Sequence, residues 1–412
     1  MILITMDAVR PDRLSCYGYD EIETKGIDAI AAEGAFFKNC IATSCLTPVA
    51  CASILSGKNP DKTTVRDPFC KVQTKMITEM LKEQEYQTAG FIGVDLIDSK
   101  HDFNRGFDYF DEPAQEDGFH TMWFEGDKQK LRATLGSWWI DRMFKWIKEH
   151  SGDNFFVWGH YFHVHFLAEK ELLHSGKIDG DKLSDYAYLD AKIKYMDEHL
   201  FQPLVKMLKD LGIWDDTTII VTSDHGETLG AKQPTWKTFY LEYPQHKTMY
   251  ESDLKVPLII KNKNLEKAEV DHTVRSIDIV PTLVNLLNIP TDEKFDGVSL
   301  IPLLAGEKFP ELTAYSEELF ENRGLGSLQA VRTPRCKLIR NITKGELEFY
   351  DLRKDPEERK NILDSCSAEE KQIVQEFTGI MDEFLKGYEV SSELSEEDRQ
   401  QIEERLRGLG YI

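Results

Sequence analysis

The sequence lacks several features that would each indicate a particular class of protein. Its seven cysteines include no C-x-x-C pair, which argues against a cysteine-rich metal cluster. It has no apolar run long enough to predict a membrane span, no internal repeat and no low-complexity linker. Basic residues are also few, since 50 Lys and Arg stand against 72 Asp and Glu. The net charge of −22 argues against nucleic-acid binding, which needs clustered cations.

The cysteine count and the N-terminal residues indicate the cellular compartment in which the protein is expected. An odd number of cysteines without regular spacing is typical of reduced thiols in a reducing compartment. The first strand pattern begins at Met1 and leaves no room for a targeting segment. We therefore expect a cytoplasmic protein. The acidic composition is still compatible with an anionic substrate, since a metal ion and local cations can dominate a cleft.

The order of strand and helix patterns predicts the fold. Apolar runs at 1–6 and 217–221 have no polar alternation, which is typical of strands buried on both faces of a parallel sheet. Helical patterns separate such runs, and the one at 186–211 is expected to kink or split at Pro203. We predict an α/β fold with a mostly parallel central sheet flanked by helices.

The pattern changes from about residue 301. Short strand candidates lie close together, followed by helical patterns, at 314–317, 328–332, 336–340, 347–352, 368–388 and 395–406. Strands this close together predict a small antiparallel sheet. We expect residues 1–300 to form a large α/β domain and residues 301–412 to form a small C-terminal α+β subdomain.

Metal-ligand side chains directly follow two of the buried strand patterns. Asp7 follows the first pattern, and Asp224 and His225 follow the pattern at 217–221. The carboxyl ends of strands form the edge at which open α/β sheets bind ligands. Carboxylate and imidazole groups are typical metal ligands. A lone Asp at a strand end, however, is most often a turn residue that bonds to its own backbone.

Thr47 lies at a predicted helix start. Pro48 suits the first turn, the segment 49–56 is small and apolar, and Gly57 ends the helix. Thr47 is then at or next to the N-cap, where a capping role would stabilise the helix by about 1 kcal/mol. The functional alternative is a nucleophile, since free N–H groups and the helix dipole favour an anion there.

Together these segments resemble the sulfatase branch of the alkaline phosphatase superfamily. The pattern D-x-x-R-x-D-x-L-x-x-Y-G spans 7–18, T-x(5)-S-x-L-[ST]-G spans 47–57 and S-D-H-G-E spans 223–227. Further motifs of that family occur in the same order along this chain, up to its last four residues, L-G-Y-I. The resemblance therefore covers essentially the whole chain. It implies the fold of that superfamily, including a small C-terminal subdomain.

Three departures separate the chain from sulfatases. Thr47 stands where sulfatases carry the cysteine that becomes formylglycine within C-x-P-x-R, and neither Cys45 nor Cys51 begins such a motif. Segment 93–96 lacks the Lys and His that sulfatases place after a strand, and Ala8 replaces a second Asp. We therefore expect no formylglycine. An unmodified Thr resembles what phosphoryl-transfer members use, including phosphodiesterases and the lipoteichoic acid synthase type.

The resemblance implies one divalent metal ion held by Asp7, Asp224 and His225, with the hydroxyl of Thr47 as a further ligand and as the attacking group. Calcium prefers about six to eight oxygen ligands. Three protein oxygens and one imidazole suit Mn²⁺ or Zn²⁺ better, although Ca²⁺ stays open.

A histidine-rich segment follows the strand pattern at 155–158. In strand geometry His163 and His165 would share a face. By resemblance, His165 matches the family histidine that contacts the transferred group, and His246 or Lys247 matches a family cation. A second metal site formed by His163, His165 and His246 is a further hypothesis.

Other residues near these motifs have simpler structural interpretations. Arg10 and Asp12 are expected to form an ion pair that locks their loop. Cysteines and tryptophans with apolar neighbours are expected to pack in the core. These are Cys40, Cys45, Cys51, Trp138, Trp139 and Trp146.

We thus expect a metal-dependent hydrolase or transferase of phosphate esters, with phosphodiesters preferred and Thr47 as nucleophile. The substrate would be a small-molecule or a glycan- or lipid-linked ester. The alternatives are a sulfuric ester hydrolase without formylglycine and a catalytically silent sulfatase-like binding protein. The intact set of Asp7, Thr47, Asp224 and His225 argues against the silent alternative.

Overall fold

The computed structural model shows two β-sheets, one of eight strands and one of four. It describes residues 1–113, 138–164, 185–228, 248–320, 326–386, 388, 399–400 and 402–404. No helix in these segments is long and apolar enough to cross a membrane.

The large sheet contains the strands that carry the predicted metal ligands. Its strands are β1 (Ile2–Met6), β2 (Ala35–Ile41), β3 (Gln87–Ile92), β4 (Tyr109–Asp111), β5 (Phe155–Tyr161), β6 (Ile219–Ser223), β7 (Lys255–Lys261) and β8 (Ala268–Arg275). Their order is β4-β3-β5-β1-β6-β7-β2-β8, and β7 runs antiparallel to both of its neighbours. The other pairs are parallel, which confirms the predicted mostly parallel sheet.

Helices cover both faces of the large sheet or flank the small one. They are α1 (Lys25–Ala31), α2 (Thr47–Ser56), α3 (Pro60–Thr63), α4 (Ile77–Lys82), α5 (Trp138–Glu149), α6 (Asp185–Met196), α7 (Gln202–Asp210), α8 (Glu251–Leu254), α9 (Ile279–Leu286), α10 (Ile301–Leu304) and α11 (Ala368–Leu385). A π-helical turn, Asp197–Phe201, joins α6 to α7 just before Pro203. The helix predicted at 186–211 is therefore interrupted where its proline was expected to disturb it.

Strand β1 illustrates why the central strands are apolar on both sides. Leu3 packs in one apolar cluster with α2, α4 and α9, whereas Ile2 and Ile4 pack in a second cluster with α1, α5, α6 and α7. Successive side chains of a strand point to opposite faces of the sheet, so each face needs its own helical layer. Trp139 and Trp146 belong to the second cluster, which confirms their predicted core role.

The C-terminal sheet is antiparallel, as predicted. Its strands are β9 (Ala314–Glu318), β10 (Leu328–Arg332), β11 (Cys336–Asn341) and β12 (Glu346–Asp351). Helix α11 packs on it through Phe377 and Met381. The helix predicted at 395–406 lies largely outside the described residues, and the domain boundary near residue 300 stays a prediction.

Buried ion pairs join the two sheets. Lys337 of β11 is fully buried, and its Nζ lies 3.2 Å from Oε1 of Glu251 in α8. Arg332 of β10 lies 3.2 Å from the other oxygen of the same carboxylate. Although burial opposes ionisation, Arg332 and Lys337 lower the pKa of Glu251 to about 2. The charged pairs therefore anchor α8 to the C-terminal sheet.

The helical glycines Gly26 and Gly379 form a matched pair for testing the packing. A Cβ on Gly26 of α1 would lie 2.4 Å from the backbone nitrogen of Gln202, whereas a Cβ on Gly379 of α11 would meet no described atom within 4 Å. We expect Gly26→Ala to lower the free energy of unfolding by about 1–3 kcal/mol through overpacking. Gly379→Ala should raise it by about 0.5–1 kcal/mol. Urea denaturation measures both, and a Gly26→Ala variant as stable as wild type would contradict this packing.

Candidate active site

The predicted metal ligands meet at the carboxyl ends of two adjacent parallel strands. Asp7 directly follows β1, and Asp224 directly follows β6. The N–H of Asp224 donates to the carbonyl of Met6 at 3.3 Å, which continues the strand pairing to the metal-ligand positions. Ligand atoms of Asp7, Asp224 and His225 lie within 4.8 Å of one another. The structure thus brings the three side chains together, and their role as ligands stays a prediction.

Thr47 joins this cluster through its hydroxyl. It is the first residue of α2, and Leu46 holds the N-cap position. The hydroxyl of Thr47 donates to Oδ2 of Asp7 at 3.3 Å and lies 3.4 Å from Nε2 of His225. The side chain is therefore directed into the carboxylate cluster, and the capping role considered from the sequence is wrong.

The ring of His225 is oriented by its own turn. Its Nδ1 lies 2.8 Å from the carbonyl oxygen of Gly226, which can only accept a hydrogen bond, so Nδ1 carries the proton. The Nε2 lone pair then faces the cluster, 3.5 Å from Oδ2 of Asp224. This arrangement is typical of histidines that bind metals, whose second ring nitrogen donates to a carbonyl or carboxylate.

The cluster has a strong local excess of negative charge. Asp7 and Asp224 are both fully buried. Burial, and then the charge of Asp224, raise the pKa of Asp7 well above its usual range. Oδ1 of Asp7 and Oδ2 of Asp224 accept no hydrogen bond from any residue that the structure describes. Since buried polar atoms are normally paired, the donor set fits a divalent cation bound among them.

The residue between the first strand and its loop changes this charge. Ala8, where many sulfatases carry a second Asp, has a φ of 60° in the left-handed region. Such a conformation costs a non-glycine residue about 1–3 kcal/mol. It directs the N–H of Ala8 toward Oδ1 of Asp224, at 3.4 Å. The Ala8 side chain is a methyl group, so the site lacks a further carboxylate that would have required still more positive charge.

Two side chains of the site were missed from the sequence. His160, the penultimate residue of β5, lies opposite Thr5 of β1, and its Nε2 is 3.7 Å from Oδ2 of Asp7. Cys51 packs in the core as predicted, but its sulfur also lies 3.9 Å from Nδ1 of His160. An imidazole near the end of a buried strand was the available signal for His160. The sequence contains no comparable signal for Cys51, whose position follows from the placement of α2.

The histidine-rich segment does not have the predicted geometry. Strand β5 ends at Tyr161, and His163 lies in a 3₁₀ turn, Phe162–Val164. The predicted strand geometry is therefore wrong for His163, because the chain leaves the sheet before this residue, whereas its predicted shared face with His165 stays untested. Burial, and then Lys192 and His160, lower the pKa of His163 to about 3. His165, His246 and Lys247 lie outside the described residues, so their roles and the second metal site built on them stay predictions.

The loop after β1 is held as expected. The guanidinium of Arg10 donates to both carboxylate oxygens of Asp12, at 2.9 and 2.7 Å. It also donates to the carbonyl of Glu227 at 3.1 Å, which ties this loop to the one after β6. The predicted ion pair is confirmed, and it connects the two loops that carry the candidate metal ligands.

The segment that lacks the sulfatase Lys and His, residues 93–96, offers no cation to the site. Val94 and Leu96 are fully buried in the core cluster beneath α2. Lys192 of α6 is a cation on the side of the candidate site, since its charge acts on the carboxyls of Asp7 and Glu227. Sequence reasoning missed Lys192, because a lysine in the middle of a long helix carries no motif.

Comparisons with known families agree with this geometry. The model of the Sulfatase family matches residues 1–289, and the model described as N-sulphoglucosamine sulphohydrolase, C-terminal, matches residues 241–386. The chain therefore belongs to the sulfatase family. The predicted sulfatase-like branch of the alkaline phosphatase superfamily is confirmed.

Individual relatives are distant. An uncharacterized sulfatase of Escherichia coli, YidJ, is 31% identical over 153 residues, which are 36% of this chain and 29% of that protein. The chain thus spans about a third or less of the first curated relatives it matches.

Two solved structures share the fold over nearly their whole lengths. One is a protein in complex with its substrate D-glucosamine-2-N,6-O-disulfate, with a TM-score of 0.72, 20% identity and coverage of 94% of this chain and 97% of that one. The other is the phosphonate monoester hydrolase of Agrobacterium radiobacter, with a TM-score of 0.71, 18% identity and coverage of 93% and 94%. The shared architecture includes both sheets.

The carboxylate pair predicts how Asp7→Asn should behave. Without added metal, this variant should be at least as stable as wild type, because a buried like-charge pair is relieved. Mn²⁺ at about 100 times its dissociation constant should stabilise wild type by about 2.7 kcal/mol, and this gain should be lost in the variant. Thermal denaturation of chelator-treated protein with and without Mn²⁺ measures both effects.

Asp111→Asn is the control for that comparison. The Asp111 carboxylate pairs with Arg142 at the edge of the sheet. Its removal should leave the response to Mn²⁺ unchanged. An equal Mn²⁺-induced rise in Tm for wild type and Asp7→Asn would contradict the ligand assignment.

Proposed function

We propose that this chain is a metal-dependent hydrolase or transferase of phosphate esters that uses Thr47 as its nucleophile and prefers phosphodiesters. The observation that carries the proposal is the contact of the Thr47 hydroxyl with Asp7 and His225 inside a buried carboxylate cluster. Family membership supports ester hydrolysis in general. A structural neighbour described as a phosphonate monoester hydrolase supports phosphorus-centred substrates on this fold.

Asp7, Asp224, His225 and Thr47 would hold one divalent ion, for which Mn²⁺ or Zn²⁺ is preferred. When bound, such an ion offsets the negative charge of the substrate and makes a nearby hydroxyl more acidic. A set of two carboxylates, one imidazole and one hydroxyl suits these ions better than Ca²⁺.

The first step is attack by Thr47 on phosphorus. The Thr47 hydroxyl donates to Oδ2 of Asp7, and the ionised form of this carboxylate is placed to accept the proton. A bond forms between Oγ1 and phosphorus, the bond to the leaving oxygen breaks with its electron pair, and that oxygen takes up a proton from solvent. The position of Thr47 at the N-terminus of α2 adds the positive end of a helix dipole beside the developing charge.

The second step releases the phosphoryl group from Thr47. A water molecule, or an acceptor hydroxyl in a transferase, attacks phosphorus in line with Oγ1 and releases its proton to solvent, while the Thr47 oxygen leaves with the bonding pair. It regains a proton from Asp7 and returns to its resting contact. His225 keeps its ring oriented through Gly226 during both steps, because its Nδ1 proton is held by the carbonyl.

The charge of the site supports a singly charged substrate. Val94 and Leu96 fill the core where sulfatases place Lys and His, so these two cations are missing. Lys192 contributes one cation from α6. A phosphodiester carries one negative charge, whereas a phosphate monoester dianion would need further positive charge. Diester is therefore preferred over monoester.

A sulfuric ester hydrolase without formylglycine is the competing function. It is favoured by the relatives, among which are a sulfatase of hexuronate and one of N-acetylglucosamine in Bacteroides thetaiotaomicron. The unmodified Thr47 and the absence of a Lys or His in segment 93–96 count against it. The two functions differ in substrate preference, which is directly measurable.

Thr47→Ala should abolish turnover while the fold persists. We expect a loss in kcat on the order of 10³-fold or more, since removing a nucleophile leaves only binding and electrostatic contributions. Ser53→Ala is a matched control, because Ser53 is a buried hydroxyl on the same helix with no hydrogen-bond partner among the described residues. It should keep wild-type turnover. Turnover by Thr47→Ala close to that of wild type would rule out the covalent mechanism.

Matched nitrophenyl esters test the substrate class. With Mn²⁺ or Zn²⁺ supplied, we expect kcat/KM to fall in the order phosphodiester, phosphate monoester, sulfate ester. Peptide mass spectrometry of the same sample should find intact thiols at Cys45 and Cys51. A value of kcat/KM about tenfold higher for the sulfate ester than for the phosphodiester corresponds to about 1.4 kcal/mol in transition-state free energy. Such a result would show that the predicted phosphoryl preference is wrong.

A further inference from the structure

A second group of possible metal ligands lies directly beside the first. The sulfur of Cys51, a ring nitrogen of His160 and a carboxylate oxygen of Asp224 lie within 4.8 Å of one another. Cys51 is one helical turn after Thr47 in α2, and His160 is in β5, next to the strand that ends at Asp7. All three side chains are fully buried.

The ring of His160 is oriented by hydrogen bonds that involve its Nδ1 atom. Its Nδ1 lies 2.8 Å from Oγ1 of Thr5, which also accepts the indole N–H of Trp158 at 3.0 Å. The Thr5 hydroxyl donates to the carbonyl of Gly159 at 3.4 Å. These bonds are all satisfied when Nδ1 carries the ring proton. The Nε2 lone pair then faces the cluster.

That Nε2 atom has no hydrogen-bond partner in the part of the chain that the structure describes. It lies 3.7 Å from Oδ2 of Asp7. A buried imidazole that is held on one nitrogen and unpartnered on the other has the orientation of a metal ligand. Oδ2 of Asp224 is likewise without a described partner, so two buried polar atoms face the same small volume.

We propose that Cys51, His160 and Asp224 bind a thiophilic divalent cation such as Zn²⁺, with Asp224 shared between this ion and the one beside Thr47. Sulfur, nitrogen and oxygen ligands together select Zn²⁺ or Co²⁺ over Ca²⁺ and Mg²⁺.

The spacing of the three groups supports this site. Ligand bonds of about 2.0–2.3 Å in a tetrahedron place neighbouring ligands about 3.3–3.8 Å apart. The ligand atoms of Cys51, His160 and Asp224 lie within 4.8 Å of one another, so side-chain shifts of about 1 Å would bring them to this spacing. Burial, and then the charges of Asp224 and Asp7, raise the pKa of the Cys51 thiol well above its usual range. A thiol loses its proton when it binds a metal ion, so binding would release a proton to solvent.

Cobalt titration tests the site directly. The full chain, stripped of metal with a chelator, is titrated with Co²⁺ while absorption is recorded. A cysteine ligand gives a sulfur-to-cobalt charge-transfer band in the near ultraviolet. We expect this band in wild type, its disappearance on addition of Zn²⁺, and its loss in Cys51→Ala. Cys40→Ala should keep it, because Cys40 is an equally buried thiol of the same core cluster.

His160→Gln provides a second variant with the thiol intact, and it should weaken Co²⁺ binding about tenfold or more. Circular dichroism checks that both variants fold. The absence of the band in wild type, or an equal band in Cys51→Ala, would overturn the proposal. The result is separable from the proposed function, since Thr47→Ala should lose turnover and keep the band.

Discussion

The site depends on one constraint: two buried carboxylates, Asp7 and Asp224, share a small volume at the ends of adjacent strands. Such a pair is unfavourable in an apolar interior unless a cation or proton offsets it. Each neighbouring feature reduces that cost. The hydroxyl of Thr47 donates to one carboxylate, and the N–H of Ala8 donates to the other. The unpaired oxygens that remain are what makes the cluster suited to a divalent ion.

The C-terminal sheet supports this cluster at a distance. The N–H of Gly226, next to His225, donates to the carbonyl of Asp253 in α8 at 2.7 Å. A Cβ on Gly226 would lie 2.1 Å from the carbonyl oxygen of Ser252, so only glycine allows this approach. Helix α8 is in turn fixed by the Glu251 carboxylate on Lys337 and Arg332. The small sheet therefore positions the loop that carries His225, in addition to covering apolar surface.

The departures from the sulfatase pattern are physically consistent with one another. Thr47 replaces the modified cysteine, and Val94 and Leu96 replace cationic residues. These changes reduce the capacity of the site for a strongly anionic group. Cys51, where sulfatases place an arginine, removes another cation and places a sulfur 3.9 Å from Nδ1 of His160. In the proposed function, a bound metal ion would supply most of the remaining positive charge. The missing cations count against a dianionic phosphate monoester, whereas the preference for a diester over a sulfate ester, which also carries one charge, rests on the unmodified Thr47.

The sequence by itself determined the fold class and the position of Asp7 and Asp224 after buried strands. Uninterrupted apolar runs can only be buried on both faces, which predicted the parallel sheet and placed Asp7 and Asp224 at its ligand edge. Only the tertiary structure decided what surrounds them. Strand order sets β5 beside β1, so His160 reaches Asp7, and the packing of α2 sets the direction of Cys51. Periodicity describes one element at a time, whereas these contacts join residues more than one hundred positions apart.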